Sequence, residues 1–228
     1  MRFNAVMLLA NGVLILATIT APAASASSSQ WVKYAGNPVL LPTEGSWDGD
    51  YVNTPRVIYN GATNTYMMWY QGGLSGVNRI GYATSSNGIT WINHGIVLSP
   101  GLPGAWDSAS IALGSVLWNG TAYLMWYTGT NGVTYPGGSV GLAVSSDGLN
   151  WVKCSGNPVI IPTALGNDQK YIAGPYVISL KLTYNMWYTA KSAASPTVSR
   201  IVYATSFDGI HWTKWPNPVM SPSSDPTA

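Results

Sequence analysis

Residues 80–91 read IGYATSSNGITW, and the phrase returns as VGLAVSSDGLNW at 140–151 and IVYATSFDGIHW at 201–212. The tryptophans closing these phrases, Trp91, Trp151 and Trp212, are 60 and 61 residues apart, and Trp31 lies a further 60 residues upstream. A fixed period of this size marks a repeat architecture. A second landmark keeps the same phase: Met68-Trp69-Tyr70, Met125-Trp126-Tyr127 and Met186-Trp187-Tyr188.

Each block holds four strand-like segments, which in the first are Thr54–Tyr59, Thr65–Tyr70, Asn78–Ser85 and Thr90–Leu98. Asn60-Gly61 and Asn119-Gly120 sit between the first and second segments, where a tight hairpin needs residues that accept positive φ. Asn87-Gly88, Asp147-Gly148 and Asp208-Gly209 do the same between the third and fourth. Four short antiparallel strands per repeat, without helical periodicity, predict an all-β fold, a β-propeller of four-stranded blades. The blades are expected near 46–99, 105–162 and 166–222, within a domain spanning 27–228. The large side chains of the Met-Trp-Tyr triplets are read as packing between blades. In the Ser-x-Asp-Gly-x-x-Trp turns, Asp147 and Asp208 are expected to bond their own turn backbone.

Residues 31–42 (WVKYAGNPVLLP) match the fourth-strand segments Trp151 to Pro162 and Trp212 to Pro222, which predicts an extra outer strand there. Three blades fall below the usual range of about 4 to 8. The visible repeats are therefore expected to belong to a larger ring.

Composition narrows the function classes. Charged residues make up 8% of the chain, and 11 Trp and 14 Tyr stand against 2 Phe, so Ser, Thr, Asn and Gly carry the polarity. The formal charge of +2 gives no basic face for nucleic acid. Arg2, the apolar run from Ala5 to Ile19 and the small residues Ala24-Ser25-Ala26 read as an export signal over residues 1–26. The run is shorter than the ~20 residues of a membrane span. A secreted chain without membrane attachment after signal removal is the expectation. Cys154, the single cysteine, is read as a buried, inert thiol, so the core must hold the domain without an internal disulfide. His94 and His211 fall on outer segments, no His or Cys cluster has metal-ligand spacing, and neither metal nor cofactor is expected.

The motifs NPVLLP (37–42) and NPVIIP (157–162), YMMWYQG (66–72) and YLMWYTG (123–129), GYATSSNGITW (81–91) and YATSFDGIHW (203–212) resemble the five-bladed propeller glycosidases. That superfamily includes glycoside hydrolase families 32, 43, 62 and 68 and related mannoside phosphorylases. The resemblance runs over roughly residues 31 to 222 and implies a five-bladed ring with an acidic active site in the central funnel. Glycoside hydrolysis needs two carboxyl groups flanking the scissile bond. The positions that the resemblance assigns to them are Asp48 in WDGDYVNTPRVI, Asp107 in WDSASIALGSVL and Asp168 in NDQKYIAGPYVI. Each lies seven residues before the position held by Pro55, Gly114 and Pro175. The superfamily's Glu acid has no match, because the one glutamate, Glu44, stands in the loop before Asp48.

A residue repeated in every blade usually serves the blade, so positions that break the symmetry point to a ligand. Asp50 is replaced by Ala109 and Lys170, Asn53 by Ala112 and Ala173, and Arg56 by Ser115 and Tyr176. An Asp, an Asn and an Arg together bind sugar hydroxyls through charge-assisted hydrogen bonds. Trp47 and Trp106 are candidates to stack on sugar rings. The leading expectation is a secreted glycoside hydrolase-like propeller whose partner is a polysaccharide or oligosaccharide. The alternative is a non-catalytic propeller for glycan binding or cell-surface interaction.

Overall fold

The computed structural model describes residues 31–132, 137–163, 168–192 and 198–223; the expected export signal lies outside them. Twelve strands form three four-stranded antiparallel sheets, and no helix occurs among the described residues. The first sheet holds β1 (Tyr51–Asn60), β2 (Thr65–Leu74), β3 (Val77–Ser85) and β4 (Ile92–Leu98), hydrogen-bonded in that order. The second holds β5 (Ser110–Trp118), β6 (Tyr123–Thr130), β7 (Ser139–Ser145) and β8 (Val152–Lys153). The third holds β9 (Tyr171–Leu180), β10 (Thr183–Lys191), β11 (Ser199–Ser206) and β12 (Thr213–Lys214).

The sheets stack as successive blades: β5 packs on β1, β2 and β3, and β9 packs on β5, β6 and β7. First strands thus follow one another, β1 to β5 to β9, and form the inner row of the propeller. The second strand of each blade is its core because its side chains alternate between two packed faces. On β2, Met67 and Trp69 join a cluster with Ile111, Leu113 and Tyr123 of the second blade, while Met68 and Tyr70 pack with Ala83 on the opposite face. Trp126 repeats the inter-blade role toward the third blade, in a cluster with Ile172, Val177 and Met186.

The turns between third and fourth strands have the predicted chemistry. Asp147 Oδ1 accepts from the amides of Leu149 and Asn150, both at 2.8 Å, and Ser145 Oγ accepts from Gly148 N at 2.8 Å. Asp208 and Ser206 repeat this, and Asn87 supplies the same carbonyl acceptor in the first blade. Gly148 and Gly209 both adopt φ +79°, a conformation that a side chain would strain.

Residues 31–42 do not form the expected strand. The segments that they match are themselves strand only at Val152–Lys153 and Thr213–Lys214, with isolated bridges at Ile160 and Met220. Residues 31–37 instead hold a turn in which Asn37 N and Nδ2 both donate to the Tyr34 carbonyl oxygen. Cys154 is part-buried, and burial pushes its thiol pKa up, consistent with an unreactive side chain.

Candidate functional site

The repeated aspartates lie inside the blades. Asp48 is 0% exposed and accepts from the hydroxyl of Tyr70 at 3.1 Å and from Thr43 N at 3.3 Å. Asp107 accepts from Tyr127 at 3.1 Å and from Lys153 Nζ at 2.5 Å. Asp168 accepts from Tyr188 at 3.4 Å, from Thr163 N at 3.1 Å, from the Thr163 hydroxyl, and from Lys214 Nζ at 2.5 Å. Burial alone would raise the Asp168 carboxyl, but the Lys214 and Thr163 hydrogen bonds outweigh it and hold it below the ordinary carboxylate range. Burial first, and the neighbouring carboxylate second, push the Tyr70, Tyr127 and Tyr188 hydroxyls well above theirs.

These contacts place Asp48, Asp107 and Asp168 in buried, hydrogen-bonded positions, where the family resemblance implied carboxylates open to a funnel. Their partners include the second strand (Tyr70, Tyr127, Tyr188), in the second and third blades the outermost strand (Lys153, Lys214), and in the first and third blades the preceding loop (Thr43, Thr163). The carboxylates therefore face across the sheet, buried and occupied, and act as braces. In the first blade Asn93 replaces the lysine and hydrogen-bonds Tyr70. The signal was in the sequence: the tyrosines follow their aspartates by 22, 20 and 20 residues, and both lysines follow by 46.

Trp47 and Trp106 serve the same braces. Trp47 packs on Tyr70 with ring centroids 5.6 Å apart, and Trp106 packs on Tyr127 at 5.7 Å. Each lies so close over its sheet that a Cβ on Gly72 or Gly129 would come within 2.5 Å of the ring. Glycine is required beneath them, and each ring is held flat on its own sheet.

Arg56 is engaged between blades. Its Nε donates to the Gly114 carbonyl oxygen of the second blade, its Nη1 donates to Pro55 O at 2.9 Å, and its guanidinium stands 6.0 Å from the ring centre of Tyr176 in the third. It thus links inner strands of three blades, and its burial lowers its pKa from the ordinary guanidinium value. Ser115, its counterpart, ties the second blade to the third by accepting from Val177 N at 2.7 Å.

Asp50 and Asn53 remain exposed at the start of the inner strand β1. Asp50 Oδ2 accepts from Ser75 N at 2.7 Å, which fixes the carboxylate against the β2–β3 hairpin. Asn53 opens a bulge in β1, where Thr54 and Pro55 have no partner on β2. Thr54 adopts φ 45°, costly for a β-branched residue, and its hydroxyl lies 3.2 Å from Asn53 Oδ1. Strained bulges re-aim side chains beside functional sites. Sequence reasoning missed Thr54 because nothing in its local pattern marks positive φ.

Successive four-stranded blades define a β-propeller, and the comparisons with known proteins give its family. The model of the glycosyl hydrolases family 32 N-terminal domain matches residues 51–225, and the chain belongs to that family. Two uncharacterized proteins of Mycobacterium tuberculosis strains are 33% identical over 125 residues, covering 52% of this chain and 41% of each relative. The match therefore spans under half the length of those relatives. Among solved structures, the Bombyx mori GH32 β-fructofuranosidase in complex with sucrose has a TM-score of 0.60 at 23% identity, covering 76% of this chain and 36% of that one. Cichorium intybus fructan 1-exohydrolase IIa with 1-kestose gives 0.61 at 20%, covering 74% and 32%. A family 117 glycoside hydrolase of Zobellia galactanivorans gives 0.68 at 20%, covering 82% and 62%. At these identities the structural likeness is one of fold.

Proposed function

We propose that this chain is the sugar-contacting part of a secreted carbohydrate-active propeller acting on polysaccharide or its oligosaccharides. Asp50 and Asn53 are proposed as its ligand groups at the start of β1. The observation that carries the reading is that these two polar side chains, absent from the corresponding positions of the other blades, stand exposed beside a strained bulge in a glycoside hydrolase family fold. An ionised carboxylate and a carboxamide together accept from and donate to adjacent sugar hydroxyls. Structural neighbours that hold sucrose and 1-kestose support a sugar ligand for the same architecture.

The non-catalytic alternative is favoured by the carboxylate inventory. Hydrolysis needs two carboxyl groups roughly 5 to 9.5 Å apart. Asp48, Asp107 and Asp168 are engaged as braces and Asp147 and Asp208 are held by turn amides, which leaves Asp50 at an inner strand start among the described residues. Binding with little turnover is the reading for these residues alone. Affinity electrophoresis on arabinan, xylan and fructan tests it: retardation by at least one glycan that Asp50→Asn and Asn53→Ala both weaken supports the site, and retardation indifferent to both refutes it. Secretion is tested by the mass of the exported product, expected to begin at Ser27.

A further inference from the structure

The opposite end of the first two blades carries a second cleft. It has a volume of about 540 Å³, within the range of small-molecule sites, and lies between the β1–β2 hairpin and the turn that follows β7. Tyr59, Asn60, Trp118, Tyr123, Ser146 and Asp147 are among its lining residues. Asn60 ends the ten-residue strand that Asp50 immediately precedes, so the cleft lies roughly 30 Å from Asp50 at about 3.3 Å per residue.

We propose that this cleft binds a neutral oligosaccharide, at a site separate from the Asp50 and Asn53 cluster. Tyr59 and Trp118 are 51% and 47% exposed, yet both are held in place. The Tyr59 ring sits 4.8 Å from Tyr66 and its hydroxyl donates to Asn64 Oδ1 at 3.0 Å. The Trp118 ring sits 4.7 Å from Tyr123, whose own hydroxyl is turned to Met67 Sδ at 3.3 Å. Fixed rings with open surface offer apolar faces for the C–H faces of sugar rings at small entropic cost.

The polar rim selects the class of ligand. Asn60 Oδ1 is occupied by Ala62 N at 3.0 Å, which leaves its Nδ2 as a donor. Asp147 Oδ2 accepts from Asn150 Nδ2 at 2.7 Å and has capacity for a further hydroxyl. The backbone amide of Asn150, its side chain and the Leu149 amide hold the Asp147 carboxyl well below its ordinary range, so it stays an anion and an acceptor. Among the described residues, no lysine or arginine lines the cleft. A fixed carboxylate without a cation disfavours phosphate or uronate and suits hydroxyl donors.

The arrangement is confined to one joint. By strand pairing, Tyr59, Trp118 and Ser179 are equivalent, each facing the tyrosine that opens the second strand region, Tyr66, Tyr123 or Tyr184. Two exposed aromatic side chains at this position flank the first joint, whereas the second joint pairs Trp118 with Ser179, and Leu180 replaces the asparagine. A device that served only blade packing would repeat.

The test is calorimetric titration of the full chain with cellohexaose, xylohexaose and an inulin-type hexasaccharide, with hexagalacturonate as the anionic control. It is performed in the Asp50→Asn background so that the strand-start cluster does not contribute. Trp118→Ala is expected to weaken the best neutral ligand about tenfold or more, and Tyr59→Ala to weaken it in the same direction. Asn60→Asp preserves the acceptor used by Ala62 and removes only the rim donor, so its loss of affinity reports the cleft without disturbing the hairpin. Binding abolished by Asp50→Asn alone places the sugar at the strand starts and overturns the cleft while sustaining the function proposed above. Affinity unchanged by Trp118→Ala and Asn60→Asp, preference for hexagalacturonate, or no binding of any neutral hexasaccharide also overturns it.

Discussion

The indole Nε1 of Trp69 donates to the carbonyl oxygen of Gly148 at 2.8 Å, joining the core strand of the first blade to the outer turn of the second. Gly148 O also accepts from Trp151 Nε1 at 2.9 Å, and Trp126 and Trp212 converge on Gly209 O at 3.0 Å each. One carbonyl thus gathers two indoles, one from each blade. This links the Met-Trp-Tyr triplet to the Ser-x-Asp-Gly-x-x-Trp turn across the joint, so the two landmarks must keep a common phase.

Trp69→Phe keeps most of the buried ring and removes the donor. It is expected to lower unfolding free energy by about 1–2 kcal/mol, and Trp69→Ala by about 3–5 kcal/mol. Gly148→Ala is expected to destabilise as well, because φ is +79° and the new Cβ would meet the Trp69 ring at 2.8 Å. Urea unfolding followed by circular dichroism measures all three. A loss from Trp69→Ala no larger than that from Trp69→Phe would refute the packing account.

The brace makes a different prediction. Asp107→Asn leaves Lys153 beside a neutral group while Tyr127 keeps an acceptor, and breaking such a pair costs about 3–5 kcal/mol when both partners are buried. Lys153 is a quarter exposed, so the low end applies. Pairing Asp107→Asn with Lys153→Met is expected to recover part of the loss. A double-mutant cycle on thermal midpoints gives the coupling, and additive losses would dismiss the brace.

Stability should fall at both pH extremes for separate reasons. The folded-state Asp168 carboxyl lies below its ordinary value of 3.8, so the unfolded chain takes up the proton first as pH falls. Its contribution is present above about pH 4 and is lost as pH drops through the folded value. Lys214→Met should remove most of that acid sensitivity. On the alkaline side, burial pushes Tyr82 up to about 12 and raises Tyr70, Tyr127 and Tyr188, so unfolded tyrosines lose protons first. Unfolding is expected to become easier as pH rises above about 10. Denaturant midpoints across pH 2 to 11 on a flat alkaline limb would contradict this.

The sheets were legible because landmarks in phase fix strand order and turn position together. Where the structure differs from the sequence reading, the causes are physical. Residues 31–42 resemble the fourth-strand segments, but those segments are themselves strand over only two residues each, at Val152–Lys153 and Thr213–Lys214. The aspartates at the strand starts were read through the family resemblance as funnel groups. Their spacing to Tyr127 and Lys153, or to Tyr188 and Lys214, carries the brace, but that relation emerges only when the sheet brings its second and fourth strands to one carboxylate. Arg56 broke the symmetry and was read as a ligand group; a unique side chain on an inner strand serves equally to bond the next blade. Asp50 and Asn53, which also break the symmetry, are exposed at the start of β1.

Separating stability from sugar contact gives the last prediction. Asp48→Asn removes a carboxylate that is fully buried against Tyr70 and Thr43, so it should lower the thermal midpoint while glycan retardation at a temperature well below that midpoint persists. Asp50→Asn should do the reverse, with little change in unfolding because its hydrogen bond to Ser75 N survives through the amide oxygen. For turnover, one exposed carboxylate at an inner strand start cannot serve as both acid and base on opposite sides of a glycosidic bond. Reducing-sugar release from arabinan, xylan or fructan by these 228 residues is therefore expected to stay at the level of the Asp50→Asn variant. Robust release that Asp48→Asn abolishes in a still folded protein would return the buried aspartate to catalysis. Release that Asp50→Asn abolishes would make Asp50 one member of a pair whose other carboxyl group must then be sought by substituting Glu44, exposed in the loop before it.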